Sequence, residues 1–331
     1  MRRRRAALVV VGLGRMGRLH AENLAGRVPS AALAGVVDAA EPLARAVGER
    51  HGVPWSASLE AMLEDPAVDG VVIAAPTRLH PELVGLAASA GKHVLCEKPL
   101  GFDAVDARGA VDIARAAGVA LQVGFQRRFD PGWTALKDAL ERGELGRLHL
   151  LRCSHRDARP PEAGLGDLLA DMAVHDLDAA RWLGGEVADV LALPRASLGE
   201  GPVLAAAIAL RFESGALAAI DVSRDARYGF ECSAELVGSR ATGRIGYGHR
   251  PGDLELLHDC RAAVRLSADH AERHEAAYLN ELQHFGQVAT GSREPTPTGE
   301  DAVAALELAS AARRSSEAGE AAGPAPAEVC A

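Results

Sequence analysis

Lysine is scarce in this sequence, and the scarcity makes each lysine informative. Only three of the 36 basic residues are lysines, namely Lys92, Lys98 and Lys137, and all the others are arginines. Arginine stays protonated in proteins, whereas a buried lysine can lose its proton and donates from a compact, mobile ammonium. A lysine retained at the end of a buried strand would therefore suggest chemistry.

Several other features are missing, and each absence excludes a class of protein. The five cysteines form no Cys-x-x-Cys or Cys/His cluster, which argues against a disulfide framework or a metal site and favours a reduced, cytoplasmic setting. The net charge of −9 argues against nucleic acid as a partner. No apolar run is long enough to cross a membrane. The arginines at 2–5 precede only a short apolar run with no cleavage site after it, which is unlike a signal peptide.

The length of 331 residues predicts two domains, and the first third has an alternating pattern. Apolar, β-rich runs alternate there with helical patterns. They occupy residues 7–11, 31–37, 70–74 and 120–124, and another ends near Cys96. Strands that alternate with helices predict an α/β, doubly wound parallel sheet of the Rossmann type, which we place at residues 1–125.

After Gly124 the pattern changes to successive strands with short turns. Strand-like runs lie at 148–154, 187–193, 205–212, 216–222, 232–237, 254–257 and 263–266. Helical patterns lie only at 131–142, 168–183, 272–289 and 300–316. This arrangement predicts a second, α+β domain at 126–331 with a mainly antiparallel sheet. Because there are few helices to cover that sheet, we expect one of its faces to be open.

A glycine-rich turn joins the first predicted strand to the first helix. Gly12 permits a tight turn, Gly14 lets backbone approach a pyrophosphate, and Gly17 allows the helix to pack closely on the strand. The helix N-terminus then offers N–H groups to the phosphates. Asp38 ends the second strand, where a carboxylate can bind the ribose hydroxyls. It would repel a 2′-phosphate and is followed by two alanines, so NAD is favoured over NADP.

Two further patterns suggest chemistry, although each has a plainer interpretation. Lys98 follows an apolar strand, but alone it could equally be a solvated loop residue. Asp171 and His175 are four residues apart on one helical face, with Asp178 on the same side. A carboxylate can orient an imidazole so that its other nitrogen acts as a general base. Taken alone, this helix favours a solvated surface stripe instead.

Together these patterns resemble the Gfo/Idh/MocA family of oxidoreductases over nearly the whole chain. The resemblance rests on motifs in a fixed order, which are the glycine turn at 12–17, Pro-Thr-Arg-Leu-His at 76–80, Glu-Lys-Pro at 97–99, Gly-Phe-Gln-Arg-Arg-Phe at 124–129, Asp171 with His175, and Pro-Thr-Gly-Glu-Asp at 297–301. Within the family, the chain looks most like inositol 2-dehydrogenases. These are similar to it in Arg-Arg-aromatic-Asp at 127–130 and Ser-His-Arg at 154–156.

The resemblance implies a role for each matching residue. His175 would be the base that accepts the hydroxyl proton, with Asp171 its partner, and Lys98 would contact both substrate and nicotinamide ribose. The predicted cofactor-binding residues are Gly12, Gly14, Arg15, Met16, Gly17, Asp38, Thr77, His80, Glu97, Lys98 and Gln126. The predicted substrate-binding residues are Lys98, Arg127, His155, Asp157, Asp171, His175, Tyr228 and Tyr278. Plainer roles exist for several: His80 as a helix cap, the two tyrosines as packing residues and His155 as a surface residue.

The implied activity is NAD-dependent oxidation of a secondary hydroxyl of a cyclic polyol, such as myo-inositol, to a ketone. One departure matters, because inositol enzymes commonly carry Asn at the position of Asp157. A sugar or aminosugar dehydrogenase, or a ketosugar reductase, is therefore the alternative. A redox-silent NAD-binding regulator and an NAD-dependent glycosidase are further classes on this fold. The family also pairs through its open sheet face, which implies a homo-oligomer, a dimer or a tetramer.

Overall fold

The computed structural model describes residues 4–157, 167–196, 203–226, 229–246 and 269–325. The chain divides into two compact units. Of the described residues, the first unit contains those up to Gln126 together with 278–304, and the second contains those within 127–277 and 305–325.

The first unit is built on a six-stranded parallel sheet with the order β3-β2-β1-β4-β5-β6. Its strands are β1 (Ala6–Val11), β2 (Ala31–Val37), β3 (Trp55–Ser56), β4 (Gly70–Ile73), β5 (His93–Glu97) and β6 (Leu121–Gly124). Its connecting helices are α1 (Arg15–Leu24), α2 (Glu41–His51), α3 (Glu60–Leu63), α4 (His80–Ser89) and α5 (Ala104–Ala116). The predicted Rossmann fold is confirmed, and the short elements β3 and α3 between α2 and β4 were not expected. The strand order reverses between β1 and β4, where such sheets bind ligands at the carboxyl ends of their strands.

A late helix returns to this first unit, which the sequence did not predict. This helix is α9 (Glu275–Ala289). Three helices come before it in the chain after β6, namely α6 (Pro131–Glu141), α7 (Val174–Gly184) and α8 (His270–Arg273). The buried residues Leu282, Phe285 and Val288 of α9 pack into the same core as Leu8 and Leu24. Burial of this apolar helix face groups residues 278–304 with the first unit. The domain boundary at 125/126 stays a prediction.

The second unit has a six-stranded mixed sheet with the order β12-β11-β7-β10-β9-β8. Its strands are β7 (Leu148–Arg156), β8 (Val187–Ala196), β9 (Val203–Phe212), β10 (Leu217–Ser223), β11 (Glu231–Gly238) and β12 (Thr242–Ile245). Only the β7–β10 pair is parallel, so the prediction of a mainly antiparallel sheet is confirmed. The strands predicted at 254–257 and 263–266 lie outside the described residues.

One face of this second sheet packs on helices and the other is exposed. Residues of α7 and of α10 (Gly299–Ala318), such as Leu177 and Leu308, share a core with alternate residues of the strands. On the opposite face Leu191, Leu193 and Leu217 are 37%, 64% and 50% exposed. A shallow depression of about 450 Å³ on this face is lined by alanine, leucine and isoleucine together with Arg152, Ser154 and Asp221. The open sheet face is therefore present, as predicted. In the described part of the chain, no helix combines the length and the apolar character needed to span a bilayer.

Candidate functional site

The glycine turn has two glycines that packing requires and one that faces open space. Gly12 has φ of +85°, and a Cβ there would lie 2.7 Å from the Ala75 backbone. A Cβ on Gly17 would lie 1.7 Å from the carbonyl oxygen of Gly12, so helix α1 can approach the turn only without a side chain. A Cβ on Gly14 would meet nothing within 4 Å. This open space lies at the start of α1, whose first N–H groups carry no side-chain cap.

Asp38 joins the end of β2 to the same turn. Its Oδ2 accepts a hydrogen bond from the N–H of Leu13 at 2.7 Å, and its Oδ1 accepts one from the N–H of Ala40 at 2.8 Å. Because a carboxylate has about four acceptor positions, each oxygen retains a lone pair for a hydroxyl. The two residues that begin α1, Arg15 and Met16, are exposed and half-buried respectively. The turn therefore offers donors to a pyrophosphate and acceptors to a ribose.

Lys98 follows β5 directly and is half-buried, next to a carboxylate that is held from two sides. Oε1 of Glu97 lies 2.8 Å from Nε2 of His20, and Oε2 accepts from the backbone N–H of Lys98 at 3.3 Å. Burial alone would raise the pKa of Glu97, but the hydrogen bond from His20 and the charges of His20 and Lys98 lower it below its ordinary value. Glu97 is therefore an anion that fixes the end of β5.

The remaining predicted cofactor residues lie at the carboxyl ends of β4 and β6. Thr77 is half-buried and begins a 3-10 turn. His80 is buried, and its two ring nitrogens each lie 2.8 Å from a backbone oxygen, that of Pro99 and that of Ala75. His80 therefore ties these two loops together rather than capping a helix. Gln126 is 6% exposed, and its amide oxygen is buried with no hydrogen-bond partner among the described residues.

These features fit a bound dinucleotide. The uncapped helix start and the open space beside Gly14 suit a pyrophosphate, and Asp38 suits a ribose. The orphaned amide oxygen of Gln126 suits a donor such as the nicotinamide carboxamide, because buried acceptors are rarely left unpaired. Within the described residues, no group of three His, Cys, Asp or Glu side chains is arranged to hold a metal ion.

The second unit contains a buried ion pair that supports a histidine. The guanidinium of Arg127 is 2% exposed and donates to Oδ1 of Asp176 at 2.6 Å, and that carboxylate is fully buried. Nδ1 of His155 lies 2.9 Å from both Oδ2 of Asp176 and Nη2 of Arg127. Burial lowers the pKa of His155 by more than the negative charge of Asp176 raises it, so the pKa lies below its ordinary value and the ring is neutral near pH 7. The arginine also lies over the Trp133 ring at 5.3 Å.

His175 lies beside this supported histidine. The ring centroids of His155 and His175 are 6.2 Å apart in an edge-to-face arrangement, and His175 is 9% exposed. His175 follows a π-helical segment, Leu168–Ala173, where the helix is wider than the predicted α-helix. Such segments are frequent at functional sites. Asp171 belongs to this segment, and its Oδ2 accepts from Arg224 at 2.5 Å.

The interpretation of the α7 region as a solvated stripe is wrong. His175, Asp176 and Asp178 are all buried. Both oxygens of Asp178 accept from Arg128, at 2.6 Å and 3.0 Å. Asp171, at 44% side-chain exposure, is the member of this set that faces outward. The pair of His155 and His175 therefore lies inside the second unit, where the negative charges of Asp176 and Asp178 are balanced by Arg127 and Arg128.

The other predicted substrate residues are distributed between the units. Asp157 directly follows β7, two residues after His155, and its negative charge raises the pKa of His155 slightly against the larger effect of burial. Tyr278 belongs to the first unit, where its ring meets that of His20 at 6.1 Å. Tyr228 lies outside the described residues. Since both Nη atoms of Arg127 bond within the protein, its contact with substrate stays a prediction.

Sequence reasoning missed three polar residues. These are Asp176, Arg224 and Glu281, the last a fully buried carboxyl on α9. Asp176 and Asp178 lie 49 and 50 residues after Arg127 and Arg128, with which they pair. The nearly equal spacing of the two acids and the two arginines is the sequence signal that could have revealed these ion pairs. Nothing in the local sequence distinguishes Arg224 among 33 arginines.

Comparison with known proteins agrees with this geometry. Residues 7–125 match the model of an oxidoreductase family with an NAD-binding Rossmann fold, and residues 133–244 match the Gfo/Idh/MocA C-terminal domain. The chain is 38% identical over 321 residues to myo-inositol 2-dehydrogenase of Thermotoga maritima, covering 93% of this chain and 95% of the relative. It is 34% identical to scyllo-inositol 2-dehydrogenase (NAD(+)) of Bacillus subtilis, covering 92% of each.

A solved structure gives the same result. Myo-inositol dehydrogenase from Lactobacillus casei, in complex with NAD(H) and myo-inositol, superposes with a TM-score of 0.87 at 26% identity and covers 98% of both chains. Two matched domains, full-length relatives and a matching fold leave one conclusion. The chain belongs to the Gfo/Idh/MocA family of oxidoreductases, whose Rossmann domain binds NAD.

Proposed function

We propose that the enzyme oxidises a secondary hydroxyl of a cyclitol, such as myo-inositol, to the ketone while NAD⁺ is reduced. The observation that carries the proposal is the buried histidine pair of the second unit, His155 and His175, held by the Arg127–Asp176 ion pair. A polyol ring presents many hydroxyls, and a buried set of imidazoles and carboxylates offers both donors and acceptors to them. Relatives that act on inositols support the same substrate class.

The cofactor supplies the electron acceptor, and the chain supplies alignment and charge. When bound, NAD⁺ accepts a hydride from the carbinol carbon. The glycine turn and the start of α1 would hold its phosphates, Asp38 its adenosine ribose, and Gln126 its carboxamide. Since Asp38 is an anion at the ribose position, the proposal includes a preference for NAD over NADP.

The proton must leave the hydroxyl as the hydride leaves the carbon. We assign His175 as the general base that accepts it, with Asp171 as its partner. Asp171 is itself held by Arg224, which fixes the carboxylate at the π-helical turn. Lys98 would stabilise the developing alkoxide as a cation. Glu97 balances the charge of Lys98 and orients the segment that carries it.

The substrate hydroxyls would be bound by Arg127, His155, Asp157, Tyr228 and Tyr278, alongside the catalytic groups. Asp157 favours a second candidate within the same reaction. Its carboxylate acts on His155 and would attract an ammonium group, so an aminocyclitol or an aminosugar fits the same cluster.

A substrate screen tests the proposal. The purified enzyme is given NAD⁺ with myo-inositol, scyllo-inositol, aminocyclitols or aldoses, and NADH absorbance is followed. We expect the highest kcat/KM on a cyclitol. Activity confined to aldoses would contradict the proposed substrate class. If no NADH accumulates with any of these alcohols, the proposed reaction is wrong.

We further propose that the open face of the second sheet joins copies of the chain into a dimer or tetramer. The face exposes three leucines beside alanines, with Arg152, Ser154 and Asp221 next to them. Exposed apolar side chains rimmed by polar residues are typical of interfaces. Light scattering should report a multiple of the 34.5 kDa chain, reduced to the single chain by Leu193→Asp. A wild-type species of 34.5 kDa at micromolar concentration would contradict the assembly.

A further inference from the structure

His20 is a buried histidine that has so far been given no role in the reaction. It lies on α1 and is fully buried. Nε2 of its ring lies 2.8 Å from Oε1 of Glu97, and the ring meets that of Tyr278 edge-on at 6.1 Å. Because an ionised carboxylate can only accept a hydrogen bond, Nε2 carries the hydrogen and donates it. A residue of α1 therefore holds the carboxylate that directly precedes Lys98 in the chain.

The packing of α1 on the glycine turn places this histidine at the end of β5. Gly17 and His20 are three residues apart, so they lie on the same face of α1. Since Gly17 has no side chain, this face can lie directly against the carbonyl oxygen of Gly12. The turn that is proposed to bind the pyrophosphate thus also brings His20 to the strand end.

The carboxylate of Glu97 is confined on its other side by backbone. Glu97 pairs with Gly124 of β6, and a Cβ on Gly124 would lie only 2.9 Å from Oε2 of Glu97. The same oxygen accepts from the N–H of Lys98 at 3.3 Å. One oxygen of the carboxylate is therefore fixed by main chain, whereas the other is held by a side chain, that of His20.

The bond from His20 has a consequence for Lys98. Leaving a buried charged acceptor without its donor is unfavourable, so a carboxylate that loses one partner turns toward another. For Oε1 of Glu97 that partner would be the ammonium of Lys98, whose charge already acts on this carboxylate. Such a contact would draw the ammonium away from a developing alkoxide. The bond from His20 prevents the carboxylate from competing with substrate for Lys98.

We propose that His20 is a positioning residue, which holds Glu97 against the backbone N–H of Lys98 and so fixes the place from which the Lys98 ammonium acts. His20 acts on Lys98 only through Glu97 and performs no step of the reaction itself. The effect on turnover rests on the proposed function, whereas the structural link from His20 through Glu97 to Lys98 does not.

The scarcity of lysine allows this link to be observed without any substrate. Protein labelled with ¹⁵N at lysine gives one backbone amide signal for each of the three lysines, and Lys98→Arg identifies the signal of Lys98. His20→Leu removes the donor to Glu97 and should move the Lys98 signal by more than its linewidth. The signals of Lys92 and Lys137 should stay in place. An unmoved Lys98 signal in folded His20→Leu protein would overturn the proposal.

Two further variants show whether the hydrogen bond causes the shift. Asn23→Leu is the matched control, because Asn23 is also a buried polar residue of α1 but accepts from Arg27 instead. It should leave the Lys98 signal in place. His20→Gln removes the ring but keeps an N–H donor, so its Lys98 signal should lie closer to that of wild type. If either variant moves the signal as far as His20→Leu does, the proposal is wrong.

Turnover tests whether the link matters to the reaction. With the best substrate of the screen, His20→Leu should lower kcat by about tenfold, the size expected for one hydrogen bond to a charged group, with the affinity for NAD⁺ little changed. His20→Gln should recover most of the rate. The double variant with Glu97→Gln should be no slower than Glu97→Gln alone, because His20 acts through Glu97. Additive losses, or wild-type turnover in folded His20→Leu, would contradict the positioning role.

The two measurements separate this proposal from the proposed function. If the enzyme oxidises no cyclitol but the Lys98 signal moves as expected, the proposed substrate class is wrong and the link is confirmed. If Lys98→Met turns over at the wild-type rate, the catalytic role of Lys98 is wrong, and with it the positioning role of His20.

Discussion

In the first unit the proposed phosphate and ribose contacts come from backbone N–H groups and the carboxylate of Asp38, whereas in the second unit the proposed substrate contacts come from side chains that are paired across distant elements. The glycine turn, α1 and Asp38 lie within the first 38 residues. Arg127 and Asp176 are 49 residues apart, and Asp171 and Arg224 are 53 apart. The first unit thus obtains its site from local chain geometry, and the second obtains its site from long-range charge pairing.

This difference explains how the two halves can vary. A turn made from backbone accepts one class of ligand whatever the neighbouring side chains are, because N–H groups are common to all residues. The charge and hydrogen-bonding groups of a side-chain cluster change with each substitution. Replacing Asp157 with Asn, for example, would remove one negative charge. We therefore expect the first unit to determine the choice of cofactor, and side chains such as those of the second unit to determine the choice of substrate.

The largest expected effect is on His175. His175→Ala should lower kcat by about 10²–10⁴, the usual loss for a general base, while the affinity for NAD⁺ stays near that of wild type. Steady-state rates and a cofactor titration by fluorescence measure the two quantities. His149→Ala, an exposed histidine on β7, is the control and should change neither. Undiminished turnover in a folded His175→Ala protein would remove His175 from the mechanism.

The next largest effect concerns the buried ion pair. Asp176→Asn leaves the Arg127 guanidinium buried without its counter-charge and should reduce the free energy of unfolding by about 3–5 kcal/mol. The exposed pair of Arg211 and Asp189 provides the contrast, because Asp189→Asn should cost only about 0–1 kcal/mol. Thermal or denaturant unfolding measures both. Equal losses in the two variants would show that the second unit does not depend on internal charge pairing.

The first unit is tested through Asp38, with a smaller expected change. Replacing Asp38 with Ser and Ala39 with Arg removes the repulsive carboxylate and adds a donor for a 2′-phosphate. A charge-assisted hydrogen bond is worth about 1.5–3 kcal/mol, so the ratio of kcat/KM for NADP⁺ to that for NAD⁺ should rise roughly tenfold to a hundredfold. A wild-type enzyme that already prefers NADP⁺ would contradict the role of Asp38.

The smallest expected effect is on how the stability of each unit depends on pH. Burial and the positive charge of Arg273 lower the pKa of His274 from 6.5 to about 4. The hydrogen bond and negative charge of Asp130 act in the opposite direction but are weaker. The folded state therefore binds fewer protons than the unfolded state between these values, and this contribution to stability is lost as pH falls from about 6.5 to about 4. This is opposite in sign to the effect of Glu281 in the first unit, where burial raises the pKa of a carboxyl group and the contribution to stability is lost as pH rises.

His274→Asn should abolish that dependence. The difference in melting temperature between wild type and His274→Asn should narrow as pH falls from 7 to 4.5. His149→Asn, which changes an exposed ring, should follow wild type throughout. A gap that stays constant with pH would mean that His274 does not titrate differently on folding.

The parts of the structure that sequence predicted well are those in which neighbours along the chain are neighbours in space. The parallel strands, the glycine turn and Asp38 all follow from apolar runs and turn residues within about 40 positions, because each βα unit forms locally. The open sheet face followed from the shortage of helices to cover it. The return of α9 to the first unit could not be predicted, since its apolar face is compatible with either core.

The site of the second unit was predicted in part for the same reason. His175 and Asp171 belong to one local motif, but the widening of the helix into a π-turn between them has no sequence rule. Asp176 and Arg224 gain their roles from pairing with residues about fifty positions away. The burial of Glu281 could be recognised only in the structure, because a single Glu in a helix is ordinarily solvated.

Isotope transfer tests the central claim most directly. Myo-inositol carrying deuterium on its ring carbons is incubated with the enzyme and NAD⁺, and the reduced cofactor is analysed by mass spectrometry. Removal of a hydride from a carbinol carbon predicts that NADH accumulates with one deuterium per molecule, and that this product is nearly absent with His175→Ala. Reduced cofactor without deuterium, or deuterium exchange without any accumulated NADH, would contradict the account.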